Sequence, residues 1–476
     1  MTGQRPRPTL HILTIVVLGA ALVACAVEST VSVAPEVQLT AELPTQTLPA
    51  IKALPPVAGD QLPTADPNAP AAIATDAGER DFGPVIGPEY TQPPTSTQRP
   101  TLAPTATPIV TLPGSAYTTA LPVDQTRLDP GQMGIQLHYN YDVDTWEYRM
   151  QQIVPLRVSW VKVQAAWEWL QPDRQGQFER NFRLFQLHVQ KADKYGFQVM
   201  LSVVKAPDWS RHTNRSEDGP PDDLNQLASF LRQLMEQVGP YVDAIEIWNE
   251  PNLRREWTGN RPISGASYME LFRVAYDTIR AYSPTISIVT AGLAPTGNHS
   301  GVSVDDRAFL RQMYQAGLAR YPDVKIGVHP YSWGNPPDFL CCNNVEGQGW
   351  DDHPQFFFRQ TLRDYAGIIA AYGDKSKMWV TEFGWATWED FPSAAPDPWM
   401  AYNSAQDQMD YTMRAFQIGQ SRGDIAVMIL WNLSYAVEHT VYARSELAAY
   451  SLLFPYFDGS GNQHRRPLYR ALERRP

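Results

Sequence analysis

The chain of 476 residues carries 39 Lys and Arg against 50 Asp and Glu, a net charge of -11, and 43% of its residues are hydrophobic. A chain this acidic lacks the clustered cations that nucleic acids require, so a neutral polymer is the easier partner. Three cysteines exclude a disulfide framework and none has zinc-site spacing, so neither metal nor cofactor is expected.

At the start, Arg5 and Arg7 precede an apolar run over 12–23 that closes on small residues, which is the pattern of an export signal over 1–25. Leu22-Val23-Ala24-Cys25 resembles the lipobox of bacterial lipoproteins, with Cys25 as the lipidated residue; an ordinary secretory signal is the alternative. Either way the mature protein is expected outside the cytoplasm. It would touch a membrane only through that N-terminal lipid.

From 26 to 127 the composition shifts to Pro, Thr, Ala, Val and Gln, as in Thr91-Gln92-Pro93-Pro94-Thr95-Ser96-Thr97. Such a segment buries too little apolar surface to offset its ordering entropy and is expected to be a disordered tether. The remaining 128–476 is long enough for one large domain, expected to be a monomer.

Within that domain, short apolar runs alternate with amphipathic stretches, the pattern of an α/β fold with a parallel sheet. Eight strands are predicted, over 133–140, 158–164, 198–204, 244–248, 286–291, 325–329, 378–381 and 425–431. Helical spacing links Phe182, Phe185, Val189 and Ala192, then Leu227, Phe230, Leu231, Leu234 and Val238. Leu271, Val274, Ala275 and Ile279 mark another helix, and Met409, Met413 and Phe416 a fourth. Eight strands without a Gly-x-Gly-x-x-Gly favour a closed (β/α)8 TIM barrel, whose site lies at the carboxyl ends of the strands.

Two strands end alike. Ile245-Glu246-Ile247-Trp248-Asn249-Glu250-Pro251 breaks from an apolar run into an acid and a proline, which ends the ladder. Trp379-Val380-Thr381-Glu382-Phe383-Gly384 delivers a second acid among aromatics. Paired carboxylates at one rim point to acid/base chemistry on a sugar. The other strand ends add His138, Lys162 with Gln164 and Trp167, His329 with Tyr331, and Trp431. Large loops over 332–355 and 386–403 follow the sixth and seventh strands, the first holding Cys341, Cys342, Trp350, Asp351 and Asp352. A vicinal disulfide and two ordinary thiols both remain open for the cysteine pair.

Trp248-Asn249-Glu250-Pro251 on a fourth strand and Thr381-Glu382-Phe383-Gly384 on a seventh resemble clan A glycoside hydrolases, as do His329-Pro330-Tyr331 and Trp431. The segment Val161 to Trp167 is similar to the family 5 cellulase pattern, although Lys162 stands where that family has arginine. Ala206-Pro207-Asp208-Trp209 is more similar to family 39. The resemblance implies a retaining O-glycoside hydrolase, acting on β-linked polysaccharides or oligosaccharides. In it Glu382 is the nucleophile, and Glu250 is the acid/base with a raised pKa. Tyr331 orients Glu382, Asn249 binds the sugar 2-hydroxyl, His329 supports the network and Trp431 lies under the reacting ring. His138, Lys162, Gln164 and Trp167 complete the expected substrate contacts. A tethered carbohydrate-binding barrel that has lost turnover is the competing reading.

Overall fold

The computed structural model of the protein describes residues 127–476 except 140, 174–179, 213–216, 343–352, 437 and 458–462. The export signal with Cys25, the Pro/Thr-rich segment up to 126, Asn140, Trp350, Asp351 and Asp352 lie outside the described residues.

Eight parallel strands are present where apolar runs predict them: β1 Met133–Leu137, β2 Trp160–Ala166, β3 Gln198–Val204, β4 Ala244–Ile247, β5 Ser287–Thr290, β6 Ile326–Val328, β7 Met378–Phe383 and β8 Ile425–Leu430. Their order in the sheet is β5-β4-β3-β2-β1-β8-β7-β6. The barrel closes between β5 and β6, where the Thr290 N–H donates to Lys325 O and the Lys325 N–H to Ile288 O, each at 2.9 Å. Gly327 allows this approach, since a Cβ there would meet Thr290 O at 2.2 Å.

Differences from the predicted spans follow from what each strand end does. The first strand stops at Leu137, leaving His138 and Tyr139 beyond the ladder, and β7 runs on to Phe383. That extension contains a bulge: Val380 pairs with Met428 but Phe383 with Leu430, so three steps on β7 match two on β8. A bulge re-aims side chains, and this one lets both Thr381 and Glu382 leave the outer face.

Among the described residues the main helices are α1 Val143–Ile153, α2 Arg180–Lys194, α3 Leu224–Val238, α4 Gly265–Tyr282, α5 Asp306–Gln315, α6 Phe358–Ala371, α7 Ala405–Gln420 and α8 Pro467–Arg474. Side chains of Asp142, Asp223, Ser264, Asp305 and Ser404 accept from the first-turn N–H groups of α1, α3, α4, α5 and α7. The apolar stripes read from spacing are the buried faces: Phe182, Phe185, Val189 and Ala192 on α2, and all five predicted positions on α3. They pack on the outward residues of the strands, such as Val161, Val163, Val199 and Leu201.

Inward-facing residues form a separate cluster of Trp160, Met200, Ala244, Val289, Trp379, Val427 and Ile429. Trp160 and Trp379 meet edge to face at 5.0 Å, although β2 and β7 are not neighbours. Their contact therefore crosses the lumen and plugs the lower barrel, as the fold requires.

Candidate active site

One inward position above that plug the chemistry changes. Lys162, fully buried on β2, lies 2.8 Å from Glu246 Oε2 on β4 and 3.0 Å from Glu382 Oε1 on β7, and donates to Thr381 O at 3.1 Å. Burial alone would lower its pKa, but the two carboxylates overcome this and raise it. Glu246 moves oppositely: burial pushes its carboxyl up, Lys162 pulls it further down, and the net direction is down. The ammonium thus neutralises two buried acids across the lumen. It does this as a point charge with three donors, where a guanidinium would make a planar fork.

Glu382 receives a second hydrogen bond, 3.1 Å from the Tyr331 hydroxyl to Oε2. Burial and the neighbouring Glu382 hold the Tyr331 hydroxyl protonated, well above the ordinary tyrosine range, so it acts as donor. His329, which ends β6, is fully buried; its Nδ1 lies 3.1 Å from Glu250 Oε1 and 4.0 Å from Glu382 Oε2. Burial disfavours a charged imidazole, yet Glu382 and Glu250 together raise its pKa. Room for the ring comes from Gly292 after β5, where a Cβ would meet its Cδ2 and Nε2 at 2.2 Å.

Glu250 is placed by an unusual backbone. Trp248 and Glu250 have φ of 73° and 37°, a region that costs non-glycine residues of order 1–3 kcal/mol each. The Trp248 indole N–H donates to Glu256 O at 2.9 Å, and the Glu250 N–H donates to Gly292 O at 3.0 Å, which fix the turn. Asn249 between them is buried, and its Oδ1 has no hydrogen-bond partner.

The expectation of a raised pKa for Glu250 is not met. Burial pushes the carboxyl up, but the His329 hydrogen bond and the Arg255 guanidinium, 3.1 Å from Oε2, bring it down to about 2. Between His329 and Arg255, Glu250 is therefore held ionised.

Aromatic residues line the opposite wall. The half-buried Trp431 lies 4.9 Å from Tyr450, 5.8 Å from Tyr435 and 6.1 Å from Tyr331, centroid to centroid. His138 adjoins this wall through Tyr435 at 5.0 Å and stacks on Tyr139. Gln164 sits one inward position above Lys162, partly exposed.

Trp167 does not belong to the cleft. It is fully buried, stacked on Phe230 of α3 at 4.8 Å, and its indole N–H donates to Gln171 Oε1. Its role is packing. Trp385 and Trp388 are likewise buried, donating to Asn335 O and Ser393 O, while Trp209 packs edge to face on Trp167.

Sequence reasoning missed Glu246, Arg255, Tyr435, Tyr450 and Glu446. Glu246 had a visible signal, an acid alternating with Ile245 and Ile247 on a barrel strand and so facing inward. Tyr450 and Glu446 had none, since they return from a segment far beyond β8. Cys341 and Cys342 form a vicinal disulfide.

No protein-family model matches the sequence, and no characterised protein is recognisably similar to it in sequence. Among solved structures, a family 39 glycoside hydrolase from the gut symbiont Bacteroides cellulosilyticus WH2 is similar at 17% identity and a TM-score of 0.53; the match covers 73% of this chain and 64% of that one. A GH39 enzyme from Xanthomonas axonopodis pv. citri matches at 13% identity and TM-score 0.48, over 74% and 67% of the two chains. A β-glucosidase from Exiguobacterium marinum matches at 12% identity and TM-score 0.48, over 73% and 98%. At these identities the likeness is one of fold: residues 127–476 form a (β/α)8 barrel of the architecture that a family 39 glycoside hydrolase carries.

Proposed function

We propose that the protein is a retaining O-glycoside hydrolase acting on β-linked oligosaccharides or polysaccharides, with Glu382 as nucleophile and Glu250 as acid/base. One observation carries this reading: two strand-end carboxylates lie against a single buried imidazole, His329. Their nearest oxygens are then no further apart than those two contacts laid end to end, so both carboxylates can address one sugar ring; in a retaining enzyme they would stand ~5–5.5 Å apart. Lys162 and Tyr331 hold the two oxygens of Glu382, which suits an ionised nucleophile in a fixed pose. The unpaired Oδ1 of Asn249 suits a sugar hydroxyl, and the half-buried face of Trp431 suits a pyranose ring.

A tethered carbohydrate-binding barrel without turnover is favoured by one feature, the ionised state of Glu250 between His329 and Arg255. Kinetics separate the two. Glu382→Ala should abolish hydrolysis of aryl β-glycosides, whereas Glu250→Ala should lose about 10²–10⁴-fold on poor leaving groups and, with good ones, form the glycosyl-enzyme but stall at its release. Azide should restore turnover to Glu250→Ala with an unchanged anomeric configuration, read by proton NMR. No hydrolysis across a panel of aryl and oligomeric β-glycosides, or an inverted product, would overturn the proposal.

Placement is part of the same proposal. With Cys25 acylated, the catalytic domain would be tethered at an extracytoplasmic membrane face; Cys25→Ala should then move from the membrane to the soluble fraction. Retention on the membrane after signal cleavage would sink that part.

A further inference from the structure

Both carboxylate oxygens of Glu250 are occupied: His329 Nδ1 lies 3.1 Å from Oε1 and Arg255 Nη2 lies 3.1 Å from Oε2. A general acid needs one oxygen free to carry a proton toward the leaving group, so one contact must open. His329 is fully buried and also lies near Glu382 and Glu246, which leaves it little freedom. Arg255 is different. Its side chain is more than a third exposed, and Glu446 and Glu256 both attract it besides Glu250. Glu446 opens the short helix Glu446–Ala449 beyond β8, so its charge acts on the guanidinium from another part of the rim.

We propose that Arg255 is a positioning residue that determines whether Glu250 is a carboxylate or an acid, a role that rests on the glycosidase reading above. The guanidinium holds Oε2 and keeps Glu250 ionised until substrate binds. A leaving-group sugar entering on this side competes for the guanidinium, which Glu446 and Glu256 retain in the rim. Oε2 then takes a proton from solvent and delivers it to the departing oxygen as a Glu382 carboxylate oxygen bonds to the anomeric carbon and the sugar–oxygen bond breaks. In the second step Glu250 removes a proton from the attacking water, and the water oxygen displaces Glu382 from the sugar.

Among the described residues, charged and titratable groups act on Glu250 from several elements. His329 and Tyr331 come from β6 and its loop, Arg255 and Glu256 from its own loop, Glu382 from β7, and Glu446 and Tyr450 from the segment after β8. Burial pushes the Glu256 and Glu446 carboxyls up to about 7, so near neutral pH each can share its proton with this cluster.

The test combines two readouts. Carbon-13 NMR of glutamate-labelled protein follows the Glu250 carboxyl, assigned by its loss in Glu250→Gln. Arg255→Gln should raise its pKa by roughly 1–3 units and carry the alkaline limb of kcat/KM upward by as much. Arg255→Lys should keep both near the wild-type position, and Glu446→Gln, which removes a competing carboxylate, should lower both. A Glu250 titration that Arg255→Gln leaves in place overturns the proposal. A uniform loss of activity with unmoved pKa does the same, since a merely structural arginine would behave so. Azide rescue of Glu250→Ala is scored separately: its failure removes the acid/base assignment, while the NMR titration still reports on the pair.

Discussion

Trp160 and Lys162 are consecutive inward residues of β2, and they belong to two different environments. The lower layer is an apolar plug in which Trp160 and Trp379 meet across the lumen. In the layer above, Lys162 meets Glu246 and Glu382 across the same lumen, and His329 links the carboxylates beyond. Both layers fill the barrel and hold the same strands together. They differ in what their loss would leave behind: the plug would leave a cavity, the charged layer an unpaired ion. Glu246 and Glu382, both carried on strands, thus stand directly above the apolar floor, while Glu250 reaches the same layer from the turn after β4.

Breaking the upper layer should have the larger effect. Lys162→Met leaves Glu246 and Glu382 without their shared cation, and removing one partner of a buried pair costs about 3–5 kcal/mol. The sign of its pH dependence follows from Glu246, whose folded carboxyl is held below its ordinary value. Pairing therefore stabilises the wild type above the unfolded carboxyl pKa of roughly 4.3 and is lost as pH falls. Denaturant unfolding of both proteins should give a gap that is full at pH 7 and narrows as pH falls below about 4. A gap that is constant with pH would show that Lys162 acts by packing alone.

Trp160→Ala tests the floor by the same measurement. Truncating a buried tryptophan typically costs about 3–5 kcal/mol through lost burial and the residual cavity. Partial collapse of Met200 and Trp379 into the space should place this variant toward the lower end. No ionisable group takes part, so its gap should not change between pH 7 and pH 4. A pH-dependent loss would mean that the plug also shields the charged layer from water.

The contrast also explains what was legible in the sequence. Strands were readable because their apolar runs are short and bounded by breakers: five of the eight begin at the predicted residue, and β2, β5 and β6 begin within two residues of it. Glu250 and Glu382 were readable because each interrupts such a run. Direction was harder to read. The bulge that turns Glu382 inward depends on β8 pairing, and the inward placement of Lys162 depends on where β2 begins. Trp167 misled for the same reason: an aromatic just past a strand is equally suited to the cleft or to a helix, and Phe230 settles the matter from sixty residues away. Arg255 carried no local signal, since its meaning comes from the oxygen it contacts.

Asn249→Ala should give the smallest change in stability and reverse its sign. Asn249 lies between Trp248 and Glu250 at the end of β4, and its buried Oδ1 is unpaired. An unsatisfied buried acceptor costs about 1–3 kcal/mol, and replacing it by a methyl group removes that penalty while forfeiting some packing. The net change should lie within about 1 kcal/mol, on the stabilising side, with a slightly raised Tm. Activity should move the other way. If Oδ1 accepts the 2-hydroxyl in the transition state, kcat/KM should fall on the order of 10²-fold, mostly in kcat. A 2-deoxy substrate, which lacks that hydroxyl, should lose little further rate in the variant. Equal losses on the two substrates, or a destabilised Asn249→Ala, would place the side chain in the fold and not in the reaction.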